Sequence, residues 1–549
     1  MNLNLTTRWG ETAIAGRPQG PSGATILVVL EVFLWVFGGC AVLSSLAAPT
    51  WAFDDAIPLV DGVLVRQGRT PNLDFYSIYP PLGPYVAAAL FSLLGRTVIA
   101  TRLWGGLIYL LLIWLATRLF RAQFGGVRYV PILTALVVAA STAKGIALPS
   151  WSGFGLSAVA LLAYLMASQP GGRYRWLKIA FSGLLTGLAL LFRVNFGAYV
   201  AAVVALDLAL QWWCAGRPGS KSDCLKSLTL AATAFFVPML ICFFGFCSWA
   251  YGTHMGAAIA AFTVNAQRTM VRRGFVDLRF HFALVSVSLI FPAGWYCLRI
   301  LKLKGRLPWV ALAVFAVDFS LIGLAFAWGD HVAIVGTLLA VELVSVLCLQ
   351  LFVQRLPRLE FCLVLFYLFQ LHYFLSRADG FHARFLALFP GMLLPFLLVE
   401  DVERTETESV SFRNVVVLGA LGAVILVLLV APQFRLSGSR VVYGTLLVAD
   451  VFRHPHTADT DRVVGTEQPK AAWLSVYPDV AELGAVRYIR GVTKSDEPIF
   501  VGVRDHSKVF MNDLRIYWLS SRPIGVRTFQ LESGIATEAE VQREIIADL

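Results

Sequence analysis

The sequence predicts an all-α polytopic membrane protein that carries a small α/β domain at its C-terminal end. Three observations lead there. Hydrophobic residues make up 58% of the 549 positions and charged residues only 14%, with a mean hydropathy of +0.71, whereas a soluble domain is roughly a quarter charged. Apolar runs able to cross a bilayer recur through residues 24–432. After Pro432 they give way to helix-like stretches alternating with short β-branched ones.

Residues 1–23 are polar and rich in Gly, Pro and Arg. They lack the basic-then-apolar pattern of a cleaved leader, so the first span is expected to be retained. Thirteen spans are expected, at 24–48, 98–117, 129–143, 152–167, 177–192, 197–213, 228–248, 282–298, 308–327, 332–353, 360–375, 385–399 and 414–431. Short basic loops set their orientation. Arg118, Arg121 and Arg128, then Arg173, Arg175 and Lys178, then Arg217, Lys221 and Lys226 fall on one side, with Arg299–Arg306 and Arg355–Arg358. With the N-terminus cytoplasmic, 49–97, 144–151, 249–281, 376–384 and the domain 433–549 are external. The expected location is the cell (inner or plasma) membrane.

The external segment 49–97 is expected to form two juxtamembrane helices. Residues 56–67 put Ala56, Leu59, Val60, Val63 and Leu64 on one face, with Asp61 and Arg66 elsewhere. Pro80-Pro81 opens the second helix, and Gly95 stops it. At 1.5 Å per residue it reaches about 21–22 Å, short of a roughly 30 Å hydrocarbon core. Both are therefore expected to lie along the outer membrane face as an amphipathic shelf. In the tail, helices are expected at 481–490, 509–519 and 537–549, with strands at 498–503 and 526–529.

The net charge of +11 sits in the membrane region. Residues 433–549 hold fourteen Lys/Arg against fifteen Asp/Glu, so no basic soluble face is available to a nucleic acid. Eight cysteines lie in or beside apolar spans, none after Cys362, with no CxxC or His-rich metal spacing.

One constellation carries chemistry. Asp54-Asp55 follows the first span, Gly68 comes fourteen residues after Asp54, then Asp74, then Tyr79-Pro80-Pro81-Leu82. The acids have two readings: caps for the following helix, or carboxylates held at the bilayer boundary for catalysis. Asp74 likewise reads as a turn residue or a substrate contact. Arg193 interrupts two spans, either lining a cavity or snorkelling to the interface.

This array resembles that of the GT-C membrane glycosyltransferases, in the branch holding protein O-mannosyltransferases, aminoarabinose transferases and their bacterial relatives. The similarity extends more loosely to Arg102-Leu103, to Gly183–Ala189 and to Ser376–His382. Two departures stand out. Tyr79 occupies the place of a lysine common before the double proline, and the loop Ala143–Trp151 has no acidic residue where many relatives carry one.

The resemblance implies an inverting transfer of a hexose or pentose from a polyprenyl-phosphate-linked donor to a lipid, glycan or protein acceptor at the external face. It maps the catalytic carboxylate onto Asp54. Such chemistry needs a base at the acceptor hydroxyl and cations or hydrogen-bond donors at the leaving phosphate. Candidate substrate-binding residues are Asp55, Asp74, Lys144, Arg193, Arg268, Arg272, Arg377, His382 and Arg384. Arg377, Asp379, His382 and Arg384 alternatively form a self-satisfied hairpin. No closed metal-ligand set is visible, although a carboxylate pair could hold a divalent ion. Glu31, Asp207, Asp318 and Glu342 lie within spans as interhelix hydrogen-bond partners or proton relays. The competing functions are a transporter or lipid flippase, whose expected repeated halves are not found, and a catalytically inactive scaffold.

Overall fold

A computed structural model of the chain describes residues 21–124, 129–143, 146–147, 149–168, 174–214, 221–272, 294–295, 343–344, 346–347, 350, 357–376, 386, 388–389, 392–393, 396, 437–506, 511–531 and 536–549. These residues are mostly helical. The first part comprises α1 (Pro21–Leu46), α2 (Ala56–Arg66), α3 (Leu82–Leu94), α4 (Val98–Gln123), α5 (Tyr129–Thr142) and α6 (Pro149–Ala167). It continues with α7 (Arg175–Phe192), α8 (Val194–Cys214), α9 (Lys221–Tyr251), α10 (Met255–Arg272) and α11 (Arg358–Ser376). The C-terminal region adds α12 (Gly438–Arg453), α13 (Asp459–Val463), α14 (Ala471–Val476), α15 (Val480–Val492), α16 (Arg515–Ser520) and α17 (Ala539–Asp548).

Six of the described helical stretches are long and apolar enough to cross a membrane, making this a multi-pass membrane protein. Helices α1, α4 to α9 and α11 coincide with the eight spans expected at those places. The spans expected at 282–298, 308–327, 332–353, 385–399 and 414–431 lie wholly or largely outside the described residues.

The bundle is built on close helix contacts. α7 packs against α6 and α9. A methyl group on Gly183 would overlap the Phe235 carbonyl oxygen, and one on Gly187 would come within 2.7 Å of the Met239 carbonyl oxygen. Small residues four apart thus let α7 and α9 approach backbone to backbone, the usual route to tight packing in lipid. Asp207 on α8 is buried and serves as an interhelix clip. It accepts from Tyr164 (2.6 Å) on α6 and from Gln211 (2.9 Å), and pairs with Arg358 on α11.

α1 and α4 run antiparallel and carry a marker at each end. Glu31 pairs with Arg121 at 2.9 Å; at the other end Arg102 reaches the Leu46 carbonyl oxygen at 2.9 Å. The end holding Leu46 and Arg102 is the end from which α2 and α3 project.

Both juxtamembrane helices form where expected. α2 ends in a Schellman motif: Gly68 N–H donates to Val65 O (2.9 Å) and Arg69 N–H to Leu64 O (3.0 Å). Gly68 adopts φ +84°, a conformation that glycine takes without steric cost. The spacing from Asp54 to Gly68 is therefore one short helix plus its stop signal.

The shelf expectation left out the tail, which covers part of this pair. α2 is buried nearly all round, including Asp61, which is 0% exposed. It is covered because Phe53, Ile57, Val60, Phe75 and Phe91 share one apolar core with Trp473, Leu514, Trp518 and Phe529 of the C-terminal region. α2 and the Ala87–Phe91 side of α3 are thus packed against the tail. The tail is itself anchored to the bundle, since α12 lies on α1 so closely that a methyl group on Gly444 would overlap the Leu43 carbonyl oxygen.

The tail also differs from its expected α/β form. Among the described residues no strand ladder forms, and a single parallel bridge joins Ile499 to Ile524. Pro498 and Pro523 flank that bridge and offer no N–H. The Asn512 side chain stands in for ladder bonds, donating to Val501 O (2.9 Å) and Phe529 O (2.8 Å) and accepting from Leu531 N–H (3.1 Å). The helix expected over 509–519 is confined to Arg515–Ser520, and α12 to α14 were not anticipated.

Candidate active site

The segment between α1 and α2 delivers the acidic pair, and it is held by an arginine from the start of α4. Arg102 is 3% exposed. Its Nη1 donates to Leu46 O (2.9 Å) and Ala48 O (2.6 Å), while Nη2 reaches Thr50 Oγ1 (3.2 Å) and Asp55 Oδ2 (3.4 Å). Asp55 also accepts from Trp51 N–H at 3.0 Å. Burial pushes the Asp55 carboxyl up to about 6, with Arg102 partly offsetting it and Asp54 adding to it. Asp55 thus shapes its own loop through Oδ2, while Oδ1 is buried with no hydrogen-bond partner among the described residues.

Asp54 is different. It is half-buried, and among the described residues no hydrogen-bond or ion-pair partner engages its carboxylate. Neither acid caps α2: Asp55, at the cap position, has helical φ −71° and ψ −28° and makes no cap hydrogen bond. The capping reading of the pair is therefore not realised.

Arg193 is the single residue joining α7 to α8, extended at φ −157° and ψ 117°. That kink turns its side chain onto Tyr79, with the guanidinium carbon 4.5 Å from the ring centroid. Its Nη1 donates to the Tyr373 hydroxyl of α11 at 3.0 Å. The Tyr79 phenol is pushed above its ordinary pKa by burial, pulled down by Arg193 and raised again by the Asp54 charge. Asp54, Tyr79, Arg193 and Tyr373 therefore form one electrostatic neighbourhood.

A cavity opens beside Tyr79 and Arg193, with about 760 Å³ of empty space including its mouth, and Asp55 rather than Asp54 is the member of the acidic pair that lines it. Asp55, Asp61, Tyr79, Trp104, Ser152 and Arg193 are among its lining residues, with the apolar flank of α3 as one wall. Asp61 accepts from Ser77 Oγ (2.7 Å) and from Gln530 Nε2 (2.7 Å) of the tail. Its pKa stands well above the ordinary carboxylate range because of burial, which the two hydrogen bonds only partly oppose.

Asp74 is exposed and does not line the cavity. Its carboxylate accepts from Thr70 N–H at 2.6 Å and its carbonyl from Arg69 at 2.7 Å, bracing the loop between α2 and α3. Lys144, Arg377, His382 and Arg384 lie outside the described residues. Arg268 and Arg272 fall on α10, with side chains outside the described set. Of the candidates, the structure brings together Asp54, Asp55 and Arg193.

Sequence reasoning took Tyr79 only as a departure from the motif's lysine and passed over Asp61 and Tyr373. The signal for Tyr79 was its position in the motif; Asp61 sat on a face covered by segments remote in sequence, those of Ser77 and Gln530. Among the described residues, no group of three or more His, Cys, Asp or Glu is placed to hold a metal ion.

No protein-family model and no curated protein sequence matches the chain. Among solved structures, it is similar to ArnT from Cupriavidus metallidurans bound to undecaprenyl phosphate, with a TM-score of 0.45, 14% identity, and coverage of 92% of this chain and 86% of that one. It is also similar to the Archaeoglobus fulgidus oligosaccharyltransferase in complex with Zn and sulfate (TM-score 0.41, 12% identity, 91% of this chain and 62% of that one). The Archaeoglobus fulgidus oligosaccharyltransferase AglB in complex with an inhibitory peptide and a dolichol-phosphate gives a TM-score of 0.36 and 14% identity, over 76% of this chain and 56% of that one.

Proposed function

We propose that this chain is a membrane glycosyltransferase that moves a sugar from a polyprenyl-phosphate carrier to a hydroxyl acceptor at the external face. The observation that carries this reading is the contrast within the acidic pair. Asp55 is bound to Arg102 and the Trp51 amide, while Asp54 is unengaged among the described residues and shares its surroundings with Arg193. A free carboxylate beside a cation is what general-base attack on a lipid phosphosugar requires.

In the proposed reaction Asp54 takes the proton of the acceptor hydroxyl. The acceptor oxygen bonds to the anomeric carbon as the bond to the phosphate oxygen breaks. The electron pair leaves with the phosphate, where Arg193 offsets the gathering charge. Tyr79 and Tyr373 hold the guanidinium in place by stacking and hydrogen bonding, which supplies the cation that the departure from lysine at position 79 would otherwise remove. Inversion at the anomeric carbon follows from the motif resemblance, as does the carrier class.

The test is a mass-spectrometric comparison of surface glycans and glycolipids from cells lacking the protein, complemented with wild type or with Asp54→Asn. The expected result is a sugar modification restored by wild type and not by the variant, at equal membrane abundance. Restoration by Asp54→Asn, or identical profiles in all strains, would overturn the reading and favour transport or a scaffold role.

A further inference from the structure

We infer that the C-terminal region is a clamp that positions Asp54 and Tyr79, with Arg515 and Gln530 as its two grips; the inference rests on the glycosyl-transfer reading for what is being positioned. The two site residues sit on segments with little regular hydrogen bonding of their own. Residues 47–55 link α1 to α2, and residues 67–81 link α2 to α3.

The first segment is held from the tail by three hydrogen bonds. Thr50 N–H donates to Val476 O (2.8 Å) and Leu514 N–H to Ala52 O (2.9 Å). Arg515 Nη1 donates to Thr50 O at 3.0 Å. Arg515 is itself fixed: Nε and Nη2 donate to the two Asp513 oxygens at 3.0 and 2.8 Å, and Nη2 pairs with Glu482 at 2.8 Å. Arg102 grips the same segment from the bundle side, so residues 46–52 lie between two arginines, each satisfying backbone carbonyls.

The second segment is held in the same manner. Tyr76 N–H donates to Arg527 O at 3.1 Å. Ile78 N–H donates to Gln530 Oε1 at 3.1 Å, and Gln530 Nε2 donates to Asp61 Oδ1 at 2.7 Å. Gln530 therefore ties the residue before Tyr79 to a buried carboxyl on α2. Thr50 is four residues from Asp54 and Ile78 is one from Tyr79, so loosening either grip releases a site residue rather than a remote surface. Positioning matters here because a displacement of about 1 Å costs on the order of 100-fold in rate.

The experiment uses the full chain in proteoliposomes, as Arg515→Met, Arg515→Lys, Gln530→Leu and Gln530→Glu. Hydrogen–deuterium exchange without any ligand is the first readout. The clamp requires faster exchange at residues 50–58 in Arg515→Met and at 76–81 in Gln530→Leu, with the α4, α6 and α7 amides unchanged and Arg515→Lys closer to wild type. The second readout is transfer from farnesyl-phosphate-linked radiolabelled hexose: kcat is expected to fall about 10- to 100-fold while KM stays within about twofold. Unaltered exchange in both segments overturns the clamp, as does loosened exchange with wild-type kcat. Should Arg515→Met fail to fold, the Arg515→Lys and Gln530 variants decide by the same criteria. Failure of the glycosyl-transfer reading is separable, because it shows as absent transfer by wild type or intact transfer by Asp54→Asn while the exchange result stands independently.

Discussion

The guanidinium of Arg193 lies over the ring of Tyr79 with 4.5 Å between its central carbon and the ring centroid. The contact joins the turn before α3 to the kink between α7 and α8. It also makes the residue at position 79 depend on the one at 193. Tyr79→Phe keeps the aromatic face and is expected to stay near wild type in thermal stability. Tyr79→Lys loses a cation–π contact worth about 1–2 kcal/mol and adds a like-charge approach on the order of 2–4 kcal/mol. A clear drop in melting temperature in detergent for Lys but not Phe is the expected outcome.

Arg102 and Asp55 form a buried pair with unequal responsibilities. Arg102→Met strips donors from the loop carbonyls and leaves a buried carboxyl alone, an expected loss of about 3–5 kcal/mol. Asp55→Asn keeps an acceptor for the Trp51 amide and is expected to cost no more than about 1.5 kcal/mol. Denaturant or thermal titration of the two variants side by side checks the order.

Three buried carboxyls give the α2 region and the tail a definite pH response. Asp55 is raised to about 6, Glu482 from 4.5 to about 7, and Asp61 well above its usual range, each chiefly by burial. For a raised acid the folded state holds a proton that the unfolded state has released. Its contribution is greatest below the unfolded pKa, and stability falls as pH rises through the window to the folded pKa. For Glu482 that window is 4.5 to about 7, and the slope is at most about 1.4 kcal/mol per pH unit per group. Glu482→Gln should flatten the fall in that window. Asp61→Asn should fold at pH 7 at least as well as wild type, because a neutral amide can accept from Gln530 and donate to Ser77. Melting temperatures measured from pH 4.5 to 8 test both.

Backbone contact at two glycines predicts intolerance to the smallest side chain. Gly183→Ala forces α7 off Phe235, and Gly444→Ala forces α12 off Leu43. Each is expected to cost about 1–3 kcal/mol through overpacking. Gly484→Ala, where nothing lies within 4 Å of the added carbon, is the matched control and should gain slightly in helix propensity.

Orientation is testable with one surface position. Asp496 lies in an exposed turn of the tail, so Asp496→Cys is expected to react with a membrane-impermeant maleimide added to intact cells. Labelling only after the cells are lysed would reverse the assigned topology.

Much of this arrangement was legible before any coordinates. The positions of α1, α4 to α9 and α11 follow from recurrent apolar runs, and those of α2 and α3 from an apolar face, a proline opening and the stop at Gly95. Gly68, Gly183 and Gly187 were visible only as pieces of a motif; that one ends α2 and the others let α7 approach α9 emerges from the structure. The role of Asp61 was not legible: its acceptors' partners are Ser77, sixteen residues away, and Gln530, 469 residues away. Periodicity reports which face of a helix is apolar but not which distant segment will cover the polar one. The segments 498–503 and 526–529 were read as strands because β-branched composition does not reveal that Asn512 supplies bonds a neighbouring strand would make.

The pairing of Asp61 with Gln530 spans nearly the whole chain, and this sets an order of events during biosynthesis. The first loop is made early, with a carboxyl that has Ser77 at hand but lacks its second partner until Gln530 is translated. A chain truncated before Gln530 would leave Asp61 and the Ile78 amide each short of a partner, and an unsettled first loop is the mark by which it would be known.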